Sequence, residues 1–404
     1  METTKTQVDL YRRRLLAASA GGAAAAGLAG WSPASLAQAA GAKPLPPFAA
    51  FKDARRVIVH SASGIETRRS AFGTSGITGK DILFARNNVS PPDASIVSNP
   101  DAWQLEIDGV TNPRRLSVAE LKQIGLASVS MVLQCSGNGR GFFGHKASGS
   151  QWKVGAAGNT LWSGVPVKAV VAHLGGVREG MRYMTSTGGE VIPAGIDPKR
   201  VMVERSVPWT AMEEALLAWE LNGDPVPLAH GGPLRLIIPG YYGVNNVKYI
   251  KRLAFTPNET AANIQSSGYR VRPIGQKGAP MQPSMWEMNL KSFVTSPSGE
   301  EGQLRAGPTQ IHGVAFSGGS PVSAVEVSLD GGKTWRAARF FGPDLGRYAW
   351  RQFVLPARLA PGSYEITSRA IADDGEVQPE MRVDNERGYA HNGWRDHAVK
   401  VTVA

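Results

Sequence analysis

One cysteine, Cys135, serves the whole chain of 404 residues. No internal disulfide can form, so each domain must be closed by buried apolar surface, and the unpaired thiol is either a small core hydrophobe or a working group. Its setting favours work. MVLQCSGNGRG, residues 131–141, carries an apolar run into Cys135 and breaks at once into the small residues Ser136, Gly137 and Gly139. Residues 128–134 read as a buried strand delivering the thiol to a glycine-rich turn. There Gly137 and Gly139 leave backbone N–H groups to face an anion, and Asn138 and Arg140 add donors. A thiolate suits a soft or high-valent metal, whereas zinc would call for a second Cys or clustered His at ligand spacing.

The amino-terminal stretch bounds the compartment. After eleven mostly polar residues come Arg12-Arg13-Arg14-Leu15-Leu16, then an apolar Ala/Gly-rich run through Trp31, then Ala37-Gln38-Ala39, a small-x-small cleavage site. That order describes an export signal over residues 1–39, not a membrane span. Paired arginines followed by one residue and two leucines match the twin-arginine variant, which exports folded proteins and predicts a periplasmic location. Removing 1–39 takes away Lys5, Arg12, Arg13 and Arg14 against Glu2 and Asp9, so the net charge falls from +11 to +9. The rest is long enough for about two domains and has no further long apolar run, so no membrane span is expected after signal removal. Its cations are interspersed with acids and no nucleic-acid motif is present, which suits a small anionic substrate at least as well as a nucleic acid.

Residues 40–80, rich in Pro, Gly and Ser, read as surface-wrapping chain. Leu105-Glu106-Ile107-Asp108 alternates as a strand, 118–124 has helical spacing with Ser117 and Glu120 as a capping box, and 165–174 reads as a helix stopped by Gly175-Gly176. Residues 234–239 form a buried strand running into Gly240-Tyr241-Tyr242-Gly243, a turn open to close ligand approach. After 256–285, a proline-marked loop, short β-rich runs follow at 311–316, 322–329, 335–341, 348–355, 364–371 and 397–403, separated by turns such as Asp330-Gly331-Gly332. This spacing predicts an immunoglobulin-like β-sandwich as a separate unit.

Leu133-Gln134-Cys135-Ser136-Gly137-Asn138 resembles the L-Q-C-[AS]-G-N signature of the sulfite oxidase family, whose cysteine binds the molybdenum of a pterin cofactor. Three further segments follow the family's order. Phe84-Ala85-Arg86-Asn87-Asn88 is similar to F-x-R-N-H, which implies pterin contacts and an arginine facing the substrate anion. His230-Gly231-Gly232-Pro233-Leu234-Arg235 and the stretch from Pro239 to Lys248 resemble H-G-x-P-x-R…P-G-x-x-G-x-x-x-V-K, implying that His230, Arg235, Asn246, Val247 and Lys248 hold the pterin and its phosphate. The run from Val327 to Trp335 is similar to a strand-turn-strand of the family's dimerisation domain. The resemblance covers about residues 80–404 and implies an α+β fold. Its mixed α/β molybdopterin-binding domain spans 40–270, and its immunoglobulin-like β-sandwich dimerisation domain spans 271–404.

For the site, the resemblance implies Cys135 as the metal ligand of Mo-molybdopterin, Arg86 and Arg387 as a clamp on the oxyanion, Tyr269 as a hydrogen-bond donor and Trp152 as a pocket wall. Arg387 enters through Asn385-Glu386-Arg387-Gly388, similar to the family's N-x-R-G. Asn88 stands where the family has histidine, Asn245 where it has arginine and Ser148 where it has lysine, and these departures touch substrate affinity more than cofactor binding. The reaction implied is oxidation of sulfite to sulfate by a homodimer. No haem-binding sequence is present, so a separate periplasmic c-type cytochrome is the expected acceptor. The alternatives are a sulfane dehydrogenase acting on carrier-bound sulfur, a reductase of oxidised methionine, and a non-enzymatic Ig-like binding module. The sandwich argues against the reductase, and the cysteine and its cationic company argue against the binding module.

Overall fold

The computed structural model describes residues 43–404; the export signal expected over 1–39 lies outside them. Two five-stranded sheets dominate the amino-terminal half. In the first sheet, Ala127–Gln134 pairs antiparallel with Ala157–Pro166, which pairs with Leu216–Leu221; Asp224–Pro225 and Arg235–Ile237 pair with that last strand. Met131 through Gln134 are all buried, because both faces of the strand's end are covered. A continuous apolar run is what such a doubly covered strand needs. Its last residue, buried Gln134, hands the chain to the half-buried Cys135.

The second sheet runs Arg114–Ser117, Gln104–Asp108, Arg252–Thr256, Tyr183–Thr187 and Glu204–Pro208, with one parallel pair, 252–254 beside 106–108. Leu105, Ile107, Leu253 and Phe255 from this sheet share a core with Val165, Leu217, Leu234 and Leu236 near the first. Helix Val118–Ile124 buries Val118 and Leu121 in it. Its capping box is formed: Glu120 N–H donates to Ser117 Oγ at 3.1 Å, and Ser117 N–H donates to Glu120 Oε2 at 2.7 Å. The helix expected over 165–174 starts later, as Val167–His173, because Val165 and Pro166 still pair with Leu217 and Leu216 in the sheet.

Residues 40–80 do more than wrap the surface. Val57–Ser61 and Gly64–Thr67 form a hairpin whose second strand is wholly buried, and Ala85–Arg86 adds to its edge. Count of Pro, Gly and Ser hid the apolar residues Val57 and Ile65, which pack with Ala85.

The carboxy-terminal half is two four-stranded sheets facing each other. One is ordered Lys291–Ser296, Gly307–Phe316, Arg351–Leu359 and Arg339–Phe341; the other is Arg336–Ala337, Val322–Ser328, Gly362–Ala372 and Val399–Val403. Val294, Ile311, Phe353, Val325 and Ile366 lie in the core between them. The single strand expected at 335–341 is two: Arg336–Ala337 pairs in one sheet and Arg339–Phe341 in the other, so the chain changes sheets between them. Lys291–Ser296 escaped sequence reading because Lys291, Ser292 and Thr295 are polar yet buried.

The two halves are not separate bodies: Pro44–Ala404 forms one compact unit. Backbone hydrogen bonds join them at the thiol-bearing segment, from Val132 N–H to the Tyr348 carbonyl at 2.8 Å and from Ala390 N–H to the Ser136 carbonyl at 3.0 Å. Among the described residues no helix is long and apolar enough to cross a membrane.

Candidate cofactor site

The turn after Cys135 is braced by one amide. Asn138 donates through Nδ2 to Gln134 Oε1 at 3.1 Å and to the Val154 carbonyl at 3.2 Å, while its Oδ1 accepts from Ala156 N–H at 3.1 Å. Asn138 and Arg140 therefore do not serve as anion donors. Arg140 is buried and donates to the carbonyls of Arg387 at 2.8 Å and Ser150 at 3.1 Å. A Cβ at Gly137 would meet the Arg140 guanidinium at 2.3 Å, and Gly139 sits at φ +98° with His391 only 2.5 Å from where a Cβ would be. Gly137 thus makes room for the Arg140 side chain, and Gly139 admits His391 from the carboxy-terminal half.

Cys135 opens into a cavity. Arg86, Asn87 and Asn88 line it from one side, His230, Arg235 and Lys248 from another, with Tyr269 near Asn88. Phe84, Asn246 and Val247 also line it. Sequence reading missed Ser136, Glu190, Val203 and Val244, which the fold brings to the same walls. Glu190 follows Gly188-Gly189 just past the end of Tyr183–Thr187 and has no local signature; only the sheet carries it to the cavity.

Three expected residues lie outside that lining. Ala85 is buried behind Arg86 in the short edge strand. Trp152 is fully buried among Leu83, Phe84, Leu133 and Trp162, with its indole edge-on to His60 at 4.8 Å, so the hairpin packs over it and it forms core, not pocket wall. Arg387 reaches the site through Tyr389: its guanidinium lies 5.9 Å from that ring, and Tyr389 stacks on Tyr269 at 5.1 Å. Asn246 lines the cavity, yet its amide is spent on its own turn, accepting from Ile238 N–H at 2.7 Å and donating to the carbonyls of Tyr241 and Tyr242. Asn245 is fully buried and accepts both Nε and Nη2 of Arg205 at 3.2 Å, so a cation stands near Tyr269 although residue 245 carries none.

The cavity is electrostatically loaded for an anion. Burial holds the Lys248 ammonium well below its ordinary range, aided by Arg235, and burial brings Arg235 down to about 10. Burial and the neighbouring cations keep His230 neutral. Burial also raises Glu190 to about 7. Each shift is the response of a charged group denied water, and an anion among these cations would reverse it for Lys248. Lys248 Nζ donates to Asn87 Oδ1 at 2.7 Å and to the Ala229 carbonyl at 2.6 Å. Arg235 donates to the His230 carbonyl at 2.8 Å.

Residues 92–264 match the family model of the oxidoreductase molybdopterin binding domain, and 282–404 match that of the Mo-co oxidoreductase dimerisation domain. Mitochondrial sulfite oxidase of Homo sapiens is 31% identical over 350 residues, spanning 81% of this chain and 62% of that relative. The chain belongs to the sulfite oxidase family. NADH nitrate reductase 2 of Phaseolus vulgaris is 29% identical over 347 residues, covering 79% of this chain and 38% of its own length. The crystal structure of the sulfane dehydrogenase SoxCD from Paracoccus pantotrophus superimposes with a TM-score of 0.72 at 25% identity, over 95% of this chain and 96% of that one. The present chain thus spans less than two thirds of the length of the human sulfite oxidase.

Mo-molybdopterin, the family's cofactor, fits the residues present. Four cavity-lining side chains carry buried polar atoms without a partner: Arg86 Nη1, Asn87 Nδ2, Ser136 Oγ and Glu190 Oε2. Unpaired buried polar groups cost about 1–3 kcal/mol each, so a polar ligand belongs between them. Among the described residues no three His, Cys, Asp or Glu side chains cluster as a metal site. One thiolate beside cations and amide donors suits a metal that arrives already held by an anionic organic ligand.

Proposed function

We propose that this protein is an exported sulfite dehydrogenase, oxidising sulfite to sulfate and passing the electrons singly to a separate c-type cytochrome, as a periplasmic homodimer. One observation carries the reading: Arg86 lines the cavity together with Cys135 and Tyr269 and keeps a buried guanidinium nitrogen, Nη1, without a partner. When bound, the cofactor supplies the two-electron redox change at molybdenum. Cys135 ligates the metal; His230, Arg235 and Lys248 hold the pterin and its phosphate. Arg86 binds the substrate oxyanion in a charge-assisted pair and Arg387 closes on it from the Tyr389 side. The Tyr269 hydroxyl, which donates to Asn88 Oδ1 at 3.5 Å in this structure, turns that one hydrogen to the reacting anion when substrate binds. The +9 charge of the chain after residue 39 would steer an acidic docking patch on the acceptor.

The deciding experiment is anaerobic mixing of the purified protein with sulfite, then with a c-type cytochrome, following haem absorbance. Haem reduction by sulfite alone supports the dehydrogenase. The end-to-end likeness to SoxCD supports a second reading, a sulfane dehydrogenase. Silence with sulfite and activity once a persulfide-bearing carrier protein is added would select that reading instead. Metal analysis should give about one molybdenum per chain.

A further inference from the structure

The segment Pro44–Lys52 precedes the stretch matched by either family model, which begins at residue 92. It is nevertheless built into the cofactor site. Leu45, Phe48 and Ala49 pack with Val57, Ile65 and Ala85, beneath the edge strand that ends in Arg86. The segment then places Lys52, which is buried, against His230, and Phe51 meets the same imidazole edge-on with ring centroids 6.2 Å apart.

Lys52 has three acceptors around Nζ: the Leu83 carbonyl at 2.5 Å, the Lys80 carbonyl at 2.9 Å and His230 Nε2 at 3.2 Å. An ammonium has three N–H donors and no lone pair, so the set closes only if Nε2 of His230 is unprotonated. The other arrangement, with Nε2–H donating to the Lys80 carbonyl, is available at 3.4 Å but would set a donor against a donor. Neutral imidazole carries its single proton on one nitrogen or the other. The nitrogen left for the cavity is Nδ1, which has no hydrogen-bond partner among the described residues.

We propose that Lys52 is a positioning residue for the cofactor, fixing His230 in the tautomer whose Nδ1–H points into the cavity as a donor. The proposal rests on the cofactor reading above and extends the site to a segment outside the family-model match. Without Lys52, the remaining partner of Nε2 is the Lys80 carbonyl; Nε2 then takes the proton and Nδ1 turns a lone pair toward an anionic ligand. Burial draws Lys52 down to about 7 even with Asp81 opposing it. An anion in the cavity acts in the same direction as Asp81, so the ammonium and the bound cofactor support one another.

The test is a long-range proton–nitrogen correlation spectrum of the cofactor-loaded protein carrying ¹⁵N-histidine. The His230 signals are assigned by their loss in His230→Gln, one of only seven histidines. The wild type should show the Nδ1–H pattern at His230. Lys52→Met should show Nε2–H, and molybdenum and pterin retained per chain after prolonged gel filtration should fall by about 10-fold or more. Nε2–H in the loaded wild type overturns the proposal without any variant and leaves the cofactor assignment standing. An unchanged tautomer in Lys52→Met also overturns it. Wild-type protein purified without molybdenum or pterin overturns the cofactor reading and this inference together.

Discussion

Tyr269 and Tyr389 stack with ring centroids 5.1 Å apart and planes within 9°, joining a loop of the amino-terminal half to the segment that carries Arg387. The stack gathers cations: Arg140 and Arg387 approach the Tyr389 ring and Arg205 approaches that of Tyr269. Neither phenol is placed by sequence neighbours alone. Tyr389→Leu keeps apolar volume but removes the stack, which is worth about 0.5–1.5 kcal/mol, so sulfite kcat/KM should fall roughly 2- to 12-fold. Steady-state kinetics on the variant check it, and an unchanged value would mean that Tyr269 is held by Arg205 and its own loop.

Cys135→Ser should fold and hold part of its pterin, because Asn138 and not the thiol braces the turn. Sulfite-dependent electron transfer should be abolished. Near-normal turnover would remove the cysteine from the metal.

Arg86→Gln should lose roughly 30- to 1,000-fold in sulfite kcat/KM, the cost of removing a charge-assisted contact to a buried anion. Reduction by dithionite without sulfite should be spared. If kcat/KM holds, the anion is gripped elsewhere in the cavity.

Asn138→Ala deletes an amide that ties its own turn to the stretch at 154–156 in a dry environment and leaves Ala156 N–H and Gln134 Oε1 unsatisfied. Stability should fall by about 2–4 kcal/mol. Urea unfolding at fixed pH measures it; a loss below 1 kcal/mol, roughly, would mean that water replaces the amide.

Lys291 lies fully buried, donating to the His391 carbonyl at 2.9 Å and the Asn138 carbonyl at 3.4 Å, and burial brings its pKa from 10.5 down to about 7. A depressed pKa means stability present above the unfolded value and withdrawn as pH falls toward and through the folded one. The wild-type Tm should therefore decline relative to Lys291→Met between about pH 10 and pH 7, and the gap should level off below. Parallel Tm curves across that window would show the ammonium to be hydrated.

Much of the site was legible before any fold was known. The strand ending at Gln134, the capping box at Ser117 and Glu120, and most of the sandwich runs rest on local pattern and formed with small shifts of boundary, whereas 335–341 split between the two sheets. Phe84, Arg86, Asn87, His230, Arg235 and Lys248 are read from segments that resemble the family's motifs, and all line one cavity. Glu190 and Lys52 carried no such signal, because an isolated charged residue looks alike on a surface and in a cleft. Trp152 misled for the same reason: an indole near a key segment can face the cavity or the core, and only the covering hairpin decides.

The sequence by itself determined the single thiol, the turn that follows it and the order of the segments around it, because periodicity, capping and turn chemistry act over a few residues. Tertiary structure alone decided what those groups face. It brings residue 52 to residue 230, residue 205 to residue 245 and residue 389 to residue 269, pairings far apart along the chain. Burial then sets their charge and tautomer, since the cost of removing a group from water depends on everything packed around it.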